Sequence, residues 1–300
     1  MTQPQYLDVE SHDEGRICRI VLNRPKSRNA QNRGLLLELN EAFLAAEADD
    51  AVRVVILGGA GPMFSSGHDM GTPESIQERR RGPDQSATFR SNGGSRKGTE
   101  ARMLQEWHYY FQNTLRWRNL RKITIAEVHG PVFAAGLMLM WACDLIVAAD
   151  DTEFADVVGT RLGMCGVEYF AHPWELGPRK TKELMLTGDS LSVEEAHALG
   201  MVSKIFPTAE LGEKTLEFAR RIAAMPTITS LLIKESVNQT VDNMGFYNAL
   251  NACFSLHQIN HAHWGELHGK GMAIGLPEDG VPSWGDAPPI VRAQKDKVRD

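Results

Sequence analysis

The chain has 300 residues, of which 42% are hydrophobic and 23% are charged, a composition typical of a soluble globular enzyme with either one large core or one domain plus an appendage. Its formal net charge of −6 excludes nucleic-acid binding by bulk electrostatics. The N-terminal segment MTQPQYLDVE lacks the basic and apolar regions of a secretory signal, and the longest apolar stretch, residues 132–143, is too short to span a bilayer. Four scattered cysteines without a CxxC pair indicate reduced thiols, so we expect a cytoplasmic protein that does not insert into membranes.

Strand and helix patterns alternate along the chain. Runs rich in β-branched and apolar residues predict strands at residues 16–23, 52–59, 123–130, 144–150 and 201–207. A helix is predicted after the first strand from apolar residues that share one helical face: Leu36, Leu39, Phe43 and Ala46. Ser192 and Glu195 match a capping box, which predicts a helix that begins after Ser192 and is terminated by Gly200. Such alternation implies parallel strands with helical crossovers, an α/β architecture.

Composition divides the chain into three parts. Residues 1–207 carry the alternating pattern, residues 208–268 are predicted to be helical from about residue 211, and residues 269–300 are rich in glycine and proline. Residues 71–104 are polar and are predicted to form a mobile loop, whose arginines either meet phosphates or form a solvated face. The C-terminal tail is expected to be ordered only where it docks.

One carboxylate interrupts a predicted apolar strand. Glu127 lies within residues 123–130, where burial of an unpaired carboxylate is unfavourable. We therefore interpret it as a structural residue, with His129 or Arg121 as its partner.

Several common enzyme signatures are absent. GGAG at residues 58–61 follows a predicted strand, but no GxGxxG completes a dinucleotide fingerprint, and neither GxSxG nor a Walker A motif occurs. His257, His261 and His263 have metal-like spacing on a predicted helix. Because no acidic or cysteine ligand accompanies them at a convincing spacing, we predict a helix surface or an interface and no metal site.

Two glycine-containing turns remain as candidates for chemistry. MFSSGHDM (residues 63–70) and HGPVFAAGLM (residues 129–138) each follow a predicted strand. Two backbone N–H groups aimed at one point form an oxyanion hole, which stabilises charge on a carbonyl oxygen. Composition alone leaves two unrelated tight turns as the alternative.

Four segments resemble, in order, the motifs of the enoyl-CoA hydratase/isomerase family, the crotonase superfamily. LNRPKSRNA resembles its LNRPxxxNA, and FSSGHDM resembles its FSAGADL. HGPVFAAGLMLMWACDLIVAAD resembles its NGxAxGGGxELAxxCDxxxA, and LTGDSLSVEEAHALGMVSKIFP its LTGxxxxAxEAxxxGLVxxVxP. The resemblance implies a crotonase-like β/α spiral (the ClpP/crotonase fold) with a helical C-terminal region that mediates homotrimers, often paired into hexamers. It also implies acyl-CoA thioester substrates, with no cofactor beyond the CoA that they carry.

The same resemblance assigns binding residues. The backbone N–H groups of His68 and Ala135 would form the oxyanion hole, and carbonyl groups around Ser66 and His68 would hold the adenine amino group. Arg28 would lie near the CoA phosphates, with Lys26 as a weaker candidate. From local sequence alone, Arg28 is equally well explained as an exposed charge at a helix start.

The chain departs from the family at both catalytic glutamates. Their positions hold Met138 and Val158. Neither a thioether nor an isopropyl group transfers protons, so these positions do not support the usual hydration mechanism.

Three other polar residues are candidates for the missing acid and base. Glu168 and Tyr169 closely follow Gly166, which aligns with a position that borders the catalytic water in relatives, and Asp156 lies two residues before Val158. We expect Glu168 to transfer the proton, with its pKa raised toward neutrality by an apolar pocket. Structural explanations remain open for each: a first-turn carboxylate, a packed aromatic ring, and a turn residue bonded to its own backbone.

Three functions are compatible with these patterns. The first is an acyl-CoA enzyme of the hydratase/isomerase type, a lyase or isomerase of fatty acid metabolism that stabilises a thioester enolate. The second is a non-catalytic acyl-CoA-binding paralogue that acts as a sensor or assembly partner. The third is an unrelated metal-dependent hydrolase that uses the C-terminal histidines.

Overall fold

The computed structural model describes residues 4–78, 98–269 and 291–293. Within these ranges the strands are β1 Leu7–His12, β2 Ile17–Leu22, β3 Val54–Gly59, β4 Ile123–Val128, β5 Pro131–Phe133, β6 Leu145–Ala149, β7 Glu153–Ala155, β8 Leu191–Ser192 and β9 Lys204–Phe206. The main sheet has the order β1-β2-β3-β4-β6-β9, and a smaller sheet has the order β5-β7-β8. Neighbouring strands are parallel except for the pairs β1–β2 and β7–β8.

Helices connect the parallel strands and continue to the C-terminal region. Their bounds are Arg33–Ala48, Pro73–Glu78, Gly98–Gln105, Asn113–Arg118, Ala135–Trp141, Val158–Leu162, His172–Leu176, Pro178–Thr187, Val193–Ala198, Leu211–Ala223, Thr227–Asn243 and Phe246–His268. A π-helix spans Glu106–Gln112, and short 3₁₀ helices span Pro25–Ser27 and Thr208–Glu210. No helix in the described ranges is both long and apolar enough to cross a membrane.

The central strands of the main sheet, β3, β4 and β6, are buried on both faces. In β3, Val55 and Leu57 pack into the larger core, whereas Val54 and Ile56 pack on the opposite side. A continuous apolar run of this kind is typical of a parallel strand covered on both faces. The helix Leu211–Ala223 covers the second face through buried apolar residues, so the chain after residue 207 completes the core of the sheet.

The predicted strands are confirmed in their order, and the α/β class is confirmed with them. The edge strand β1 was missed: only Leu7 of its six residues is buried, so it lacks the continuous apolar run of the central strands. The short strands β5, β7 and β8 were also missed. The predicted capping box is present, with Glu195 N donating to Ser192 Oγ at 3.2 Å.

Two predictions about irregular segments need correction or completion. Residues 71–104 do not form a continuous loop, because the helices Pro73–Glu78 and Gly98–Gln105 lie at its ends; residues 79–97 lie outside the described residues. Of the predicted tail, residues 269 and 291–293 are described. There Val291 N donates to Asp189 Oδ1 at 2.9 Å, so this part of the tail docks on the turn before β8.

Glu127 is buried and structural, but its predicted partners are wrong. Its carboxylate pairs with Arg19 on β2. The strand β3 lies between β2 and β4, so the arginine reaches across one strand. His129 instead bonds with the Gly61 carbonyl, and the Arg121 backbone N–H donates to Glu47. Two residues 108 positions apart form this pair, and local sequence carries no sign of it.

Candidate functional site

The turns that follow β3 and β4 are in direct contact. Phe133 N donates to Ser65 O at 3.1 Å, and Ser65 forms a parallel bridge with Val132. Gly67 has φ +97°, and a Cβ atom added there would lie 3.1 Å from the Ala135 nitrogen. A glycine therefore permits both the left-handed conformation and the close approach of the two backbones. The carboxyl ends of adjacent parallel strands place these turns at one edge of the sheet, where ligands commonly bind.

The N–H groups of His68 and Ala135 have no acceptor among the described residues. The bridge between His68 and Gln31 uses Gly67 O and Asp69 N, so the His68 N–H points away from Gln31. Ala135 is the first residue of its helix, where an N–H has no partner within the helix. The two amides assigned to the oxyanion hole are thus both available as donors on turns that touch.

A cleft of about 310 Å³ lies beside these turns. Its lining includes the ionisable side chains of Arg33, His68, Glu78, Arg102, Glu106, Tyr109, Tyr110 and Glu168. His68 Nε2 lies 3.0 Å from Glu168 Oε2, and the His68 ring stacks on Tyr110 with centroids 3.7 Å apart. The other ring nitrogen, His68 Nδ1, is buried and has no hydrogen-bond partner among the described residues. A histidine oriented by a carboxylate is an arrangement suited to general acid–base catalysis.

Two buried carboxyl groups of the cleft have opposite pKa shifts. Burial alone would raise the pKa of Glu168, but the His68 and His257 imidazoles beside it lower the pKa to about 2. Burial, together with the nearby Glu168 carboxylate, raises the pKa of Glu106 to about 8. The expectation of a near-neutral pKa for Glu168 is therefore wrong. Glu168 is the anion that holds His68, and Glu106 is the carboxyl group that retains a proton near neutrality.

Glu106 belongs to a buried cluster with two of the C-terminal histidines. His257 Nε2 and His261 Nε2 lie 3.0 Å apart, and Glu106 Oε1 lies 3.4 Å from His261 Nε2. The ligand atoms of these three residues all lie within 4.8 Å of one another, so they could hold a metal ion. His257 and His261 are buried and Glu106 accompanies them, so the predictions of a helix surface and of a missing acidic ligand are wrong for these two residues. The alternative of an interface stays a prediction. His263 is exposed and lies outside the cluster.

Two sequence candidates for acid–base chemistry lie outside the lining of the cleft. Asp156 is fully buried: Oδ2 lies 3.0 Å from His172 Nε2, and Oδ1 accepts a hydrogen bond from Val158 N at 3.0 Å. Tyr169 packs edge-on against Phe246 in the core, and burial raises the pKa of its hydroxyl group above the ordinary value for tyrosine. The structural explanations apply to both residues, so the catalytic role considered for them is not supported by their position.

The positions of the family glutamates are apolar in three dimensions as well as in sequence. Met138 and Val158 are 2% and 9% exposed and belong to the same hydrophobic core. Met138 lies in the helix Ala135–Trp141, in which every residue is buried. No proton-transferring group stands at these positions.

The candidates for CoA binding lie together at the rim of the turns. Ser66 N donates to Arg28 O at 3.0 Å, and the Lys26 and Arg28 side chains are exposed. Arg24, by contrast, is buried and paired with Asp69 at 2.8 Å. Arg24 is therefore committed to holding the turn, whereas Arg28 and Lys26 remain accessible.

Sequence reasoning found Glu168 and the backbone of His68 but missed several groups. The His68 side chain, Glu106, Tyr110 and Gln31 were not singled out, although all four line the cleft. The family motif FSAGADL has an alanine where this chain has His68, and this difference could have drawn attention to the histidine side chain. No sequence pattern pointed to Glu106, because its contact with His257 joins residues that are 151 positions apart in the chain.

The chain matches the enoyl-CoA hydratase/isomerase family over residues 12–273. EchA13 of Mycobacterium tuberculosis, provisionally described as an enoyl-CoA hydratase, is 64% identical over 293 residues, covering 98% of this chain and 92% of the relative. The mitochondrial enoyl-CoA hydratase of Pongo abelii is 32% identical over 238 residues, covering 78% and 73%.

Comparison with solved structures also finds proteins described as enoyl-CoA hydratases or isomerases. A structure from Mycobacterium smegmatis, provisionally described as an enoyl-CoA hydratase, has a TM-score of 0.79 at 40% identity and covers 89% of this chain and 99% of its own. An enoyl-CoA hydratase/isomerase from Xanthobacter autotrophicus Py2 has a TM-score of 0.72 at 27% identity, covering 88% and 94%. The predicted crotonase-like fold with a helical C-terminal region is confirmed.

Proposed function

Because this chain belongs to the enoyl-CoA hydratase/isomerase family, we propose that it is an enzyme that stabilises the enolate of an acyl-CoA thioester. The observation that supports the proposal is that the amides of His68 and Ala135, which have no acceptor among the described residues, lie on touching turns beside the His68–Glu168 pair. Membership of this family also contradicts the third function considered, an unrelated metal-dependent hydrolase.

In the proposed reaction, the thioester oxygen accepts hydrogen bonds from the N–H groups of His68 and Ala135. Hydrogen bonds of this type stabilise the negative charge that develops on oxygen when the α-carbon loses a proton. A single oxyanion-hole donor is worth about 3–4 kcal/mol of transition-state stabilisation in other enzymes.

We assign proton transfer to the pair formed by His68 and Glu168. The anionic Glu168 orients the imidazole through Nε2. Nδ1, a buried atom with no hydrogen-bond partner among the described residues, is the ring atom to which we assign proton exchange with the substrate. Met138 and Val158 cannot share this task, so the chemistry differs from a two-glutamate hydration. The proposal thus keeps Glu168 as a participant but gives the contact with substrate to His68.

The CoA portion is proposed to bind at the exposed rim of the turns. Arg28 and Lys26 supply positive charge for phosphate groups, and backbone carbonyls at Ser66 and His68 supply acceptors for the adenine amino group. Both basic side chains are exposed, so each is expected to contribute modestly to affinity.

The experiment is α-proton exchange in D₂O, followed by mass spectrometry, with a panel of acyl-CoA thioesters of different chain lengths. Wild-type protein should introduce deuterium at the α-carbon of at least one thioester. Glu168→Gln should bind that thioester with nearly unchanged affinity and lower the exchange rate by roughly 10²–10⁴-fold. Glu183→Gln, at an exposed carboxylate on the helix Pro178–Thr187, is the matched control.

Binding without exchange in wild-type protein would favour the non-catalytic paralogue instead. Failure of every thioester to bind at millimolar concentration would contradict acyl-CoA recognition altogether.

A further inference from the structure

We propose that Glu106, His257 and His261 form a binding site for a divalent transition-metal ion of the Zn²⁺ or Fe²⁺ class, beside the cleft that Glu106 helps to line. The site is distinct from the two oxyanion amides, and the proposed enolate chemistry gives none of its three side chains a contact with the substrate. It lies between the π-helix Glu106–Gln112 and the C-terminal helix Phe246–His268.

The spacing of the donor atoms suits one ion. His257 and His261 lie one helical turn apart, so both imidazoles leave the helix on the same face. Their Nε2 atoms are 3.0 Å apart, and an ion about 2.1 Å from each nitrogen would be bound at roughly a right angle. Glu106 brings a carboxyl oxygen to within 3.4 Å of His261 Nε2 and another to within 3.8 Å of His257 Nε2.

The hydrogen bonds around the cluster prepare these atoms for ligation. His257 Nδ1 lies 2.9 Å from the Gly166 carbonyl oxygen, which can only accept, so Nδ1 carries the proton. In the neutral ring, Nε2 then presents its lone pair to the cluster. Gln258 Nε2 donates to Glu106 Oε2 at 2.6 Å and orients the carboxylate. Bonds of this kind from outer residues position the ligands of established metal sites.

Burial and charge favour a cation at this point. Glu106, His257 and His261 are 6%, 5% and 1% exposed, so water cannot solvate them freely. Glu168 Oε1 lies 3.7 Å from His257 Nε2, which brings the Glu168 carboxylate beside the cluster. A bound cation would take the place of the Glu106 proton, because metal ligands must be deprotonated. Two imidazoles with carboxylate oxygens are a ligand set typical of zinc and of non-haem iron. Because these three residues leave coordination positions open, water can complete the shell on the side of the cleft.

The test is metal binding by the full-length chain, measured as metal content after dialysis against Zn²⁺ and as visible absorption bands with Co²⁺. Wild-type protein should retain about one ion per chain and show Co²⁺ bands that differ from those of free Co²⁺. His261→Ala should weaken Zn²⁺ affinity by more than about 100-fold, beyond the loss of an outer-shell partner. His263→Ala removes an exposed histidine from the same helix and should bind like wild type.

Glu106→Gln keeps the size of the side chain and serves if His261→Ala fails to fold. It should also lose Zn²⁺ affinity and change the Co²⁺ spectrum. A wild-type protein that retains no metal, or an equal loss in His263→Ala, would overturn the proposal and leave a buried hydrogen-bonded cluster. These readouts involve no acyl-CoA, so their failure is distinct from failure of the proposed enolate chemistry.

Discussion

At the residue scale, the backbone and the side chain of His68 serve different parts of the candidate site. Its N–H belongs to the predicted oxyanion hole, whereas its ring is held by Glu168 and Tyr110 within the cleft. The motif resemblance predicted the first role, because backbone donors depend on the turn and not on the side chain. The second role depends on the Glu168 carboxylate, which is 100 positions away in the chain, so no local sequence pattern indicates this role.

Ala134 occupies a strained position in the second turn. Its φ of 49° and ψ of −123° are accessible to glycine and unfavourable for alanine. We expect Ala134→Gly to raise the free energy of unfolding by about 1 kcal/mol, because relief of about 1–3 kcal/mol of strain exceeds the added entropy of the unfolded chain. Urea denaturation measures the change.

The neighbouring substitution Ala135→Gly is the control. Ala135 has no positive φ, so the substitution should lower stability by about 0.5–1 kcal/mol. Equal effects of the two substitutions would contradict the assignment of strain to residue 134.

Asp69 stabilises the first turn through its ion pair with Arg24. Asp69→Ala should lower the free energy of unfolding by about 3–5 kcal/mol, because it leaves a buried guanidinium unpaired. Thermal or urea unfolding measures the loss. Asp8→Ala, at an exposed carboxylate, should change stability by less than about 0.5 kcal/mol.

The same pair gives a pH dependence of defined sign. Burial alone would raise the pKa of Asp69, but hydrogen bonds from Thr72 and the Arg24 guanidinium lower it below the usual range. Its stabilising contribution is therefore complete above the unfolded-state pKa of about 3.9 and is lost as the pH falls through the lower folded-state value. Asp69→Asn should lose this acid dependence, and an unchanged profile would argue against the pair.

At the scale of elements, the strands and their connecting helices could be predicted, because apolar periodicity records which faces are buried. The helices Pro73–Glu78 and Gly98–Gln105 could not, since their residues are mostly polar and short helices depend on tertiary contacts. The π-helix that carries Glu106 was also beyond prediction. A π-turn requires one more residue than the helical period that sequence patterns report.

The helix Ala135–Trp141 supports a prediction about hydration. Met138→Glu alone should leave crotonyl-CoA hydration within about tenfold of wild type, because Val158 still occupies the second acid position. A lone carboxylate in this core also costs free energy unless it is paired. A spectrophotometric hydratase assay measures the outcome.

Met138→Leu is the matched control, since it nearly conserves volume and should cost less than about 1.5 kcal/mol. A large gain of hydratase activity in Met138→Glu would show that one carboxylate suffices in this cleft.

At the scale of the whole molecule, we propose that the chain assembles into the homotrimer or hexamer implied by its motifs. Four large apolar residues of the helix Thr227–Asn243 are more than half exposed: Ile228, Leu232, Ile233 and Val237. Exposed apolar patches of this kind mark association surfaces. Analytical ultracentrifugation should show the oligomer for wild type and a smaller species for Leu232→Glu. Lys182→Glu, at an exposed lysine, should leave the oligomer intact, and a monomeric wild type would contradict the proposal.

The central claim is tested most directly by a crystal structure with a non-reactive acyl-CoA analogue bound. The thioester oxygen should lie about 2.7–3.1 Å from both the His68 and the Ala135 nitrogen atoms. The α-carbon should then face the His68 ring, and the CoA phosphates should lie near Arg28. An analogue bound with its thioester oxygen away from these two amides would contradict the account.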